Sequence, residues 1–323
     1  MMINLYDMIH EWLMQQGLLP LLYNLSMMEY ADEANVGLDW MMLGCLQILL
    51  IALVIRPLER GETHELFEQK RRSAAIRNDI FYTLIHRLGI FQFTFFYLFS
   101  GFLFSIDAHF HDLRFMRLNV EDWFPILTQI PWVSFIIYLI IFDGIDYIYH
   151  RASHRFQWWW KLHALHHSQR HMTAWTDNRN NILDDLMRAL VFAVIALVIG
   201  VGPSQFLLLS LTTRLIQSWQ HANFQTDLGW AKYLLVSPAY HRLHHALGLG
   251  YELLGKPGVL GGCNFGVLFP WWDMLGKTVI FPRGIYMTGV EDFNPSTQIM
   301  GQQWQSIRNS YQAIIAFLKG IRI

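Results

Sequence analysis

The sequence predicts an all-α integral membrane protein, a bundle of helices whose helical cap carries a histidine-rich site for two metal ions. Hydrophobic residues make up 53% of the 323 residues and charged residues only 15%, against about 25% charge in an average soluble domain. Four uncharged apolar runs approach the roughly 20 helical residues that cross the hydrocarbon core of a bilayer. The 15 histidines include several clusters at helical spacing.

The apolar runs predict the helices of the bundle. They cover residues 41–55, 89–106, 123–142 and 189–213. The third run continues past Asp143 and Asp146 towards the first histidine cluster. Gly200, Gly202 and Pro203 interrupt the fourth run, and such residues break a helix. The fourth run is therefore predicted to be a hairpin of two partial helices that enters and leaves on one side of the membrane.

The distribution of basic residues predicts the orientation. Residues 1–40 contain no Lys or Arg, whereas the connection at 56–77 contains Arg56, Arg60, Lys70, Arg71, Arg72 and Arg77. Because basic residues favour the cytoplasmic side, this connection is predicted to be cytoplasmic. Counting spans from there makes 107–121 an external loop and places the histidine clusters in a cytoplasmic cap. An alternative with the N-terminus inside and a further span within residues 1–30 remains open.

Charge and cysteine content exclude several kinds of site. Lys and Arg number 24 against 25 acidic residues, so the net charge gives no reason to expect a nucleic-acid partner. Cys45 and Cys263 are the two cysteines, too few for a disulfide framework, an iron–sulfur cluster or a cysteine zinc site. A bound metal must therefore be held by imidazole or oxygen.

No repeat or long linker divides the chain, so a single domain is predicted over 1–323. Residues 1–78 form an N-terminal segment with the first span, 79–282 the catalytic core, and 283–323 an amphipathic C-terminal helix. Within the last part, Trp304, Ile307, Tyr311, Ile314 and Leu318 recur at helical spacing. Residues 246–298 are rich in Gly and Pro and are predicted to be a loop-rich cap over the metal site.

Nine histidines are the predicted metal ligands. They are His150 and His154, then His163, His166 and His167, the single His221, and finally His241, His244 and His245. Residues spaced by three and four project from one face of a helix, so each cluster presents its imidazoles to a common point. The isolated histidines are predicted to be structural; these are His10, His64, His86, His109 and His111.

Asp146 is predicted to support the first cluster. It lies one helical turn before His150, and carboxylates at this depth in a membrane helix normally face a partner inside the protein. Metal-bound histidines usually donate their second ring N–H to a carboxylate or a carbonyl. Asp146 is therefore predicted to orient His150.

The chemistry of nine imidazoles differs from that of one tetrahedral zinc site. So many ligands suit two metal ions with coordination positions left open. Imidazole binds Zn, Cu, Fe and Ni, so affinity alone does not select the metal. A site without Cys, and without a Glu of the H-E-x-x-H kind, is poorly equipped for hydrolysis and better equipped for oxygen activation.

The ordered histidine clusters resemble those of the fatty acid hydroxylase and sterol desaturase superfamily of membrane diiron oxidases. Supporting strings are Asp-Tyr-Ile-Tyr-His ending at His150, Trp-Lys-Leu-His-Ala-Leu-His-His-Ser from Trp160, and Asn264-Phe-Gly followed by Trp272-Asp273 and Gly276-Lys-Thr. The resemblance covers roughly residues 80 to 280. It implies two Fe ions held by the nine histidines, O₂ as co-substrate, and hydroxylation or desaturation of a membrane lipid such as a sterol or fatty acyl chain. Zinc is expected to replace iron on overexpression.

This chemistry needs two electrons, and the sequence contains no motif for a redox cofactor. A separate cytochrome, ferredoxin or reductase is therefore expected to dock near the basic residues Arg151, Arg155, Lys161 and Arg170. Contact of these residues with anionic lipid is an equally good interpretation. Two rival functions stay open: oxidation of an ether lipid or carotenoid by the same site, and a non-catalytic histidine-rich metal-binding protein or transporter.

Overall fold

The computed structural model describes residues 5–59, 74–224, 226, 228–250, 262–284, 286–291 and 293–320. Within these residues the regular structure is helical and no strand forms, which confirms the predicted all-α class. The helices are α1 (Leu5–Leu13), α2 (Leu19–Asn24), α3 (Ala31–Leu50), α4 (Arg56–Leu58), α5 (Ala74–Arg87), α6 (Ile90–Asp112), α7 (Val120–Trp123), α8 (Pro131–Arg155), α9 (Gln157–His167), α10 (Ile182–Ile199), α11 (Pro203–His221), α12 (Pro238–His244), α13 (Trp271–Gly276) and α14 (Ile299–Leu318).

Among the residues that the structure describes, three helical segments are long and apolar enough to cross a membrane. They are Met28–Leu58, which contains α3 and α4, then α6, and then α8. The first two include nearly all of the predicted runs at 41–55 and 89–106. The third prediction, 123–142, is wrong at its start. A separate short turn of 3-10 helix occupies Pro125–Gln129, and α8 begins at Pro131, because proline suits the first turn of a helix and not its interior.

The predicted loop at 107–121 is partly helical. Helix α6 continues to Asp112, so His109 and His111 lie in its last turn, where both are exposed. The basic connection at 56–77 is described only at its two ends. Arg60, His64, Lys70, Arg71 and Arg72 lie outside the described residues.

The fourth apolar run forms two helices, as predicted. Helix α10 ends at Gly200, which has a left-handed φ of 84°, a conformation that glycine adopts without steric cost. Pro203 then starts α11. Asp184 near the start of α10 contacts His163, and His221 at the end of α11 contacts His166. The pair therefore returns the chain to the end of the bundle that holds the histidines.

A buried arginine joins α3, α5 and α11. The guanidinium of Arg87 donates to Asp177 at 2.9 Å, to Ser218 at 2.8 Å and to the side chain of Gln47. Helices α3 and α5 also approach closely, since a Cβ at Gly44 would lie 1.6 Å from the carbonyl oxygen of Arg87. Between membrane helices, small residues and hydrogen bonds of this kind promote association.

The C-terminal helix α14 packs its small and polar face inward. Gln302, Ser306, Ser310 and Ala313 are buried, while Trp304 is 68% exposed. The side chain of Gln303 joins α14 to the start of α10 by accepting from Ile182 N at 2.7 Å. The C-terminal helix of the structure begins at Ile299 and not at the predicted 283.

Candidate metal centre

Four helices bring the histidines together. The last two turns of α8 carry His150 and His154, and α9 carries His163, His166 and His167. Helix α11 ends at His221, and α12 with the residue after it supplies His241, His244 and His245. Helix α12 is short, but its start is well defined because the Ser237 hydroxyl caps it by accepting from Tyr240 N at 3.2 Å. All nine predicted ligands therefore reach one region.

Eight of these histidines form two groups of four, and each group could hold a metal ion. One group is His150, His154, His167 and His244, and the other is His166, His221, His241 and His245. Within each group the potential ligand nitrogens lie within 4.8 Å of one another, and every member is buried. Histidines that are close in sequence are thus divided between the two groups, since α9 and the segment of α12 contribute to both.

His163 lies between the two groups. Its ring centroid is 5.1 Å from that of His150 in one group and 5.3 Å from that of His166 in the other. Its Nε2 atom is buried without a hydrogen-bond partner. His163 is therefore placed to complete the coordination of either metal.

Backbone carbonyls fix which ring nitrogen of several histidines faces the centre. Nδ1 lies 2.9 Å from Phe265 O in His150, 2.8 Å from Gly250 O in His154 and 2.6 Å from Cys263 O in His244. A carbonyl can only accept, so each Nδ1 must carry the proton. The Nε2 atoms of neutral rings then present lone pairs to the centre.

The lone pairs of these Nε2 atoms face one another, and a cation bound between them would satisfy them. Nε2 of His150 and Nε2 of His244 are 3.0 Å apart, although neither can donate when its Nδ1 holds the proton. In the other group, His221 donates Nδ1–H to Gln217 O, and its Nε2 lies 3.0 Å from Nε2 of His241. Buried polar atoms without partners are rare in native proteins. Two cations between the imidazoles would satisfy them, so the residues fit a dimetal site.

The histidines outside the spans are held neutral, as metal ligands must be. Burial lowers the pKa of His166, His167, His241 and His245 well below the ordinary value, and neighbouring imidazoles lower it further. Burial lowers the pKa of His244 to about 3. Removing water from an imidazolium, next to other imidazoles, disfavours the charged form.

Asp146 does not contact His150, so the predicted partner is wrong. The carboxylate of Asp146 forms an ion pair with Arg188 of α10, whose Nε lies 3.0 Å from Oδ1. The carbonyl of Phe265 occupies Nδ1 of His150 instead. Asp146 is buried, as the sequence indicated. The positively charged Arg188 satisfies its carboxylate more strongly than the neutral ring of His150 would.

Asp184 has the role that the sequence suggested for Asp146. Its Oδ2 accepts from His163 Nδ1 at 2.8 Å, and its Oδ1 accepts from Trp159 Nε1 at 2.8 Å and from Tyr149 OH at 2.9 Å. Asp184 was not predicted from the sequence. The available signal was a carboxylate in the first turn of an apolar helix, three residues after the capping Asn181.

Asp273 anchors the loop that supplies the carbonyls. Its carboxylate accepts from the backbone N–H groups of Phe265 at 2.8 Å and Gly266 at 2.7 Å, and from the hydroxyls of Tyr240 at 2.9 Å and Thr278 at 2.6 Å. The predicted loop-rich cap is thus ordered over 262–278 by side-chain hydrogen bonds. The loop places Phe265 O and Cys263 O against two imidazoles of the candidate metal centre.

Neighbouring side chains dock the same loop on the bundle. Asn264 has a left-handed φ of 60°. Its side-chain amide accepts from Ile280 N and donates to Ile280 O. Asp143 of α8 accepts from Leu268 N at 2.7 Å and Phe269 N at 3.0 Å. The strings around Asn264 and Asp273 therefore shape the metal centre without contributing a ligand.

The centre resembles known lipid-modifying enzymes in sequence. Residues 135–278 match the sequence model of the fatty acid hydroxylase family. Alkylglycerol monooxygenase of Danio rerio is 30% identical over 120 residues, 36% of this chain and 26% of the relative. The Caenorhabditis elegans enzyme of the same name is 29% identical over 167 residues, 51% of this chain and 31% of the relative.

A relative from Rhizobium tropici is named for a different activity. Ornithine lipid hydroxylase OlsE of Rhizobium tropici is 25% identical over 154 residues, 48% of this chain and 42% of the relative. The chain therefore spans well under half the length of each of these three curated relatives. No solved structure matches the chain.

Proposed function

We propose that this chain, whose residues 135–278 form a fatty acid hydroxylase domain, is a membrane oxidoreductase that uses two iron ions and O₂ to oxidise an unactivated C–H bond of a lipid. The observation that carries this proposal is the pair of four-histidine groups whose unpartnered nitrogens converge. All nine residues that the sequence analysis named as ligands belong to this proposed site. The iron and the O₂ are inferred from the family resemblance and from the donor set.

The proposed reaction balances with an external electron source. Hydroxylation converts R–H, O₂, two electrons and two protons into R–OH and water, whereas desaturation consumes the same reagents, removes two hydrogens from the lipid and forms two waters. Bound iron would supply the redox-active centre at which O₂ is reduced. Each group offers four imidazoles and, among the described residues, no carboxylate or thiolate, so an octahedral ion bound there would keep open coordination positions.

The chain's own residues position and shield this centre. Hydrogen bonds to Phe265 O, Cys263 O and Asp184 hold the rings of His150, His244 and His163 in one orientation. Such contacts typically change metal affinity or activity by roughly 10 to 100-fold. Burial of the rings excludes water, which would otherwise compete for the open positions.

The relatives' names support a lipid substrate with a polar headgroup. Alkylglycerol monooxygenase and ornithine lipid hydroxylase are named for oxidising lipids of two different kinds. Among the alternatives from the sequence, oxidation of an ether lipid gains most from these names, and it is the second candidate beside a sterol or fatty acyl substrate. Three helices long and apolar enough to span a membrane are consistent with access from the bilayer.

We further infer that a separate cytochrome, ferredoxin or reductase supplies the electrons from the cytoplasmic side. Arg170 follows the metal-binding helix α9 and is exposed, and Arg151, Arg155 and Lys161 are partly exposed on α8 and α9. A basic surface of this kind would steer an acidic redox partner towards the metal centre. The same surface is compatible with anionic lipid headgroups.

Comparative lipid mass spectrometry tests the proposed function. Cells that express the wild-type chain would be compared with cells that express His150→Ala at equal membrane abundance, under air and with a native reductase system. The wild-type sample should contain a lipid that has gained one oxygen atom or lost two hydrogens, and the variant should not. Identical lipid profiles in the two strains would refute lipid oxidation.

A further inference from the structure

A cavity of about 330 Å³ lies beside the metal centre, between α3, α6, α8, α10 and α11. Pockets for small molecules have volumes of roughly 300 to 1,000 Å³. Asp146 and Gln217 line the cavity, and each lies one helical turn before a histidine of the centre. The cavity therefore adjoins the two metal groups without including their ligands.

The cavity has an apolar end and a polar end. Phe142, Phe192 and Phe206 line the part nearer the turn between α10 and α11. Arg188 and Arg214 line the part nearer the histidines, together with the carboxylates of Asp146, Asp177 and Asp185. Each of these carboxylates already has a partner: Arg188 for Asp146, Arg87 for Asp177 and His86 for Asp185. An amphipathic molecule would thus place its polar group towards the metal centre and its hydrocarbon away from it.

Unlike its neighbours Arg87 and Arg188, Arg214 has no carboxylate partner among the described residues. Its guanidinium makes one long hydrogen bond of 3.4 Å to His86 O and lies over Trp40, with 5.5 Å between Cζ and the ring centroid. No ion pair with an acid forms at Arg214 within the described part of the chain, whereas Arg87 pairs with Asp177 and Arg188 with Asp146. A partly buried charge without a counter-ion is unfavourable in a protein interior, and in a membrane protein it points to a ligand site.

Gln92 on α6 is a second unsatisfied group of the cavity. Among the described residues, both the oxygen and the nitrogen of its carboxamide are buried without a hydrogen-bond partner, and the residue lines the cavity. Buried amides normally have partners. Two unsatisfied groups, one a cation and one a neutral amide, therefore line the same cavity.

We infer that this cavity is the substrate subsite, and that Arg214 and Gln92 bind the carboxylate or phosphate of an acidic amphipathic lipid whose chain lies between the three phenylalanines. Arginine is suited to either group, since its planar donors bind two oxygens at once. The inference rests on the proposed function and extends it to the position of oxidation. Arg214 precedes His221 by two turns of α11, about 10 Å, so the oxidised carbon lies near the polar group and not in the middle of the chain.

Binding of three amphiphiles of equal chain length tests the subsite. The probes are palmitate, hexadecyl phosphate and the neutral hexadecanol, added to iron-loaded full-length protein in nanodiscs without reductant, so that no turnover occurs. The wild-type protein should bind palmitate or hexadecyl phosphate at least 10-fold more tightly than hexadecanol, an order expected for a charged hydrogen bond. Whichever anion binds more tightly identifies the headgroup as carboxylate or phosphate.

Variants separate the two residues from a general loss of structure. Arg214→Gln should lower the affinity for the anion by roughly 10 to 100-fold and leave the affinity for hexadecanol unchanged. Arg214→Lys should retain part of the preference for the anion. Gln92→Leu should weaken anion binding severalfold. Arg308→Gln is the matched control, because Arg308 is an exposed arginine on α14, and it should bind like the wild type.

Two results would overturn the subsite. One is equal affinity of the wild-type protein for hexadecanol and both anions, and the other is an unchanged preference in folded Arg214→Gln. If Arg214→Gln does not fold, Ala193→Phe, which fills the apolar end, should weaken all three probes, and unchanged binding in this variant and in Gln92→Leu would refute the inference. The binding assay requires no turnover. If binding depends on Arg214 but the protein never oxidises a lipid, the proposed function is refuted and the subsite is not.

Discussion

Oδ2 of Asp184 lies 2.8 Å from Nδ1 of His163, which joins the start of α10 to the ring that lies between the two metal groups. Tyr149 and Trp159 hold the other oxygen of the carboxylate. This contact fixes Nε2 of His163 as the atom that faces the candidate metal site. It also holds the start of α10 at the histidine end of the bundle.

Replacing Asp184 with Asn should lower activity and iron affinity together. The amide oxygen is a weaker acceptor than a carboxylate, so the orientation and basicity of His163 should be partly lost, at a cost of roughly 10 to 100-fold. Turnover per bound iron and iron retention against a chelator measure the effect. Asp112→Asn, at the exposed end of α6, is the control. Wild-type values in Asp184→Asn would show that the contact does not support the centre.

Replacing His150 or His221 with Ala should abolish turnover while the protein still inserts in the membrane. Each change removes a proposed ligand from a different group, and the apolar residues of the candidate membrane helices are unchanged. His109→Ala and His111→Ala, in the exposed last turn of α6, should leave turnover near the wild-type value. Full activity in His150→Ala at equal membrane abundance would contradict the site.

Removing the Asp273 carboxylate should destabilise the protein and loosen its metals. Asp273→Ala leaves four donors without an acceptor, and unsatisfied buried groups cost about 1 to 3 kcal/mol each. Thermal unfolding should occur at a lower temperature than in the wild type, and iron should be lost more readily to a chelator. Asp122→Ala, an exposed carboxylate, should behave like the wild type. An unchanged Tm in Asp273→Ala would refute the anchoring role.

The predicted cytoplasmic position of the centre has its own test. The test needs an exposed position for a cysteine label. Arg170 is exposed, whereas Ser168 is buried, and a cysteine there would be protected on either side of the membrane. Arg170→Cys should react with an impermeant thiol reagent only after cells are permeabilised, and Leu113→Cys should react in intact cells. Wild-type protein gives the background from Cys45 and Cys263. Labelling of Arg170→Cys in intact cells would reverse the predicted orientation.

The sequence was sufficient to bring out the histidines of the candidate metal centre because their spacing is local. Residues three and four apart on a helix share a face whatever the rest of the fold does, so the group of His163, His166 and His167 could be recognised from the sequence. The break at Gly200 and Pro203 was predictable for the same reason, since it depends on backbone chemistry at those residues. The start of α8 was missed because the apolar residues before Pro131 belong to a separate 3-10 turn.

The supporting contacts were not predictable because they join distant parts of the chain. Asp146 and Asp184 are both acids near a histidine cluster, and only the packing of α10 on α8 decides that Arg188 pairs with one and His163 with the other. The partition of the histidines into two groups has the same origin. His166 and His167 are adjacent in sequence but belong to different groups, because they project from α9 in different directions.

The metal content of the purified protein tests the central claim most directly. Protein reconstituted with iron and freed of loosely bound metal would be analysed for iron and zinc per chain, with His150→Ala as a parallel sample. The two groups of histidines predict two metal ions per wild-type chain, as iron or as zinc taken up during overexpression, and fewer in the variant. One metal or none in the reconstituted wild-type protein would contradict the dimetal centre.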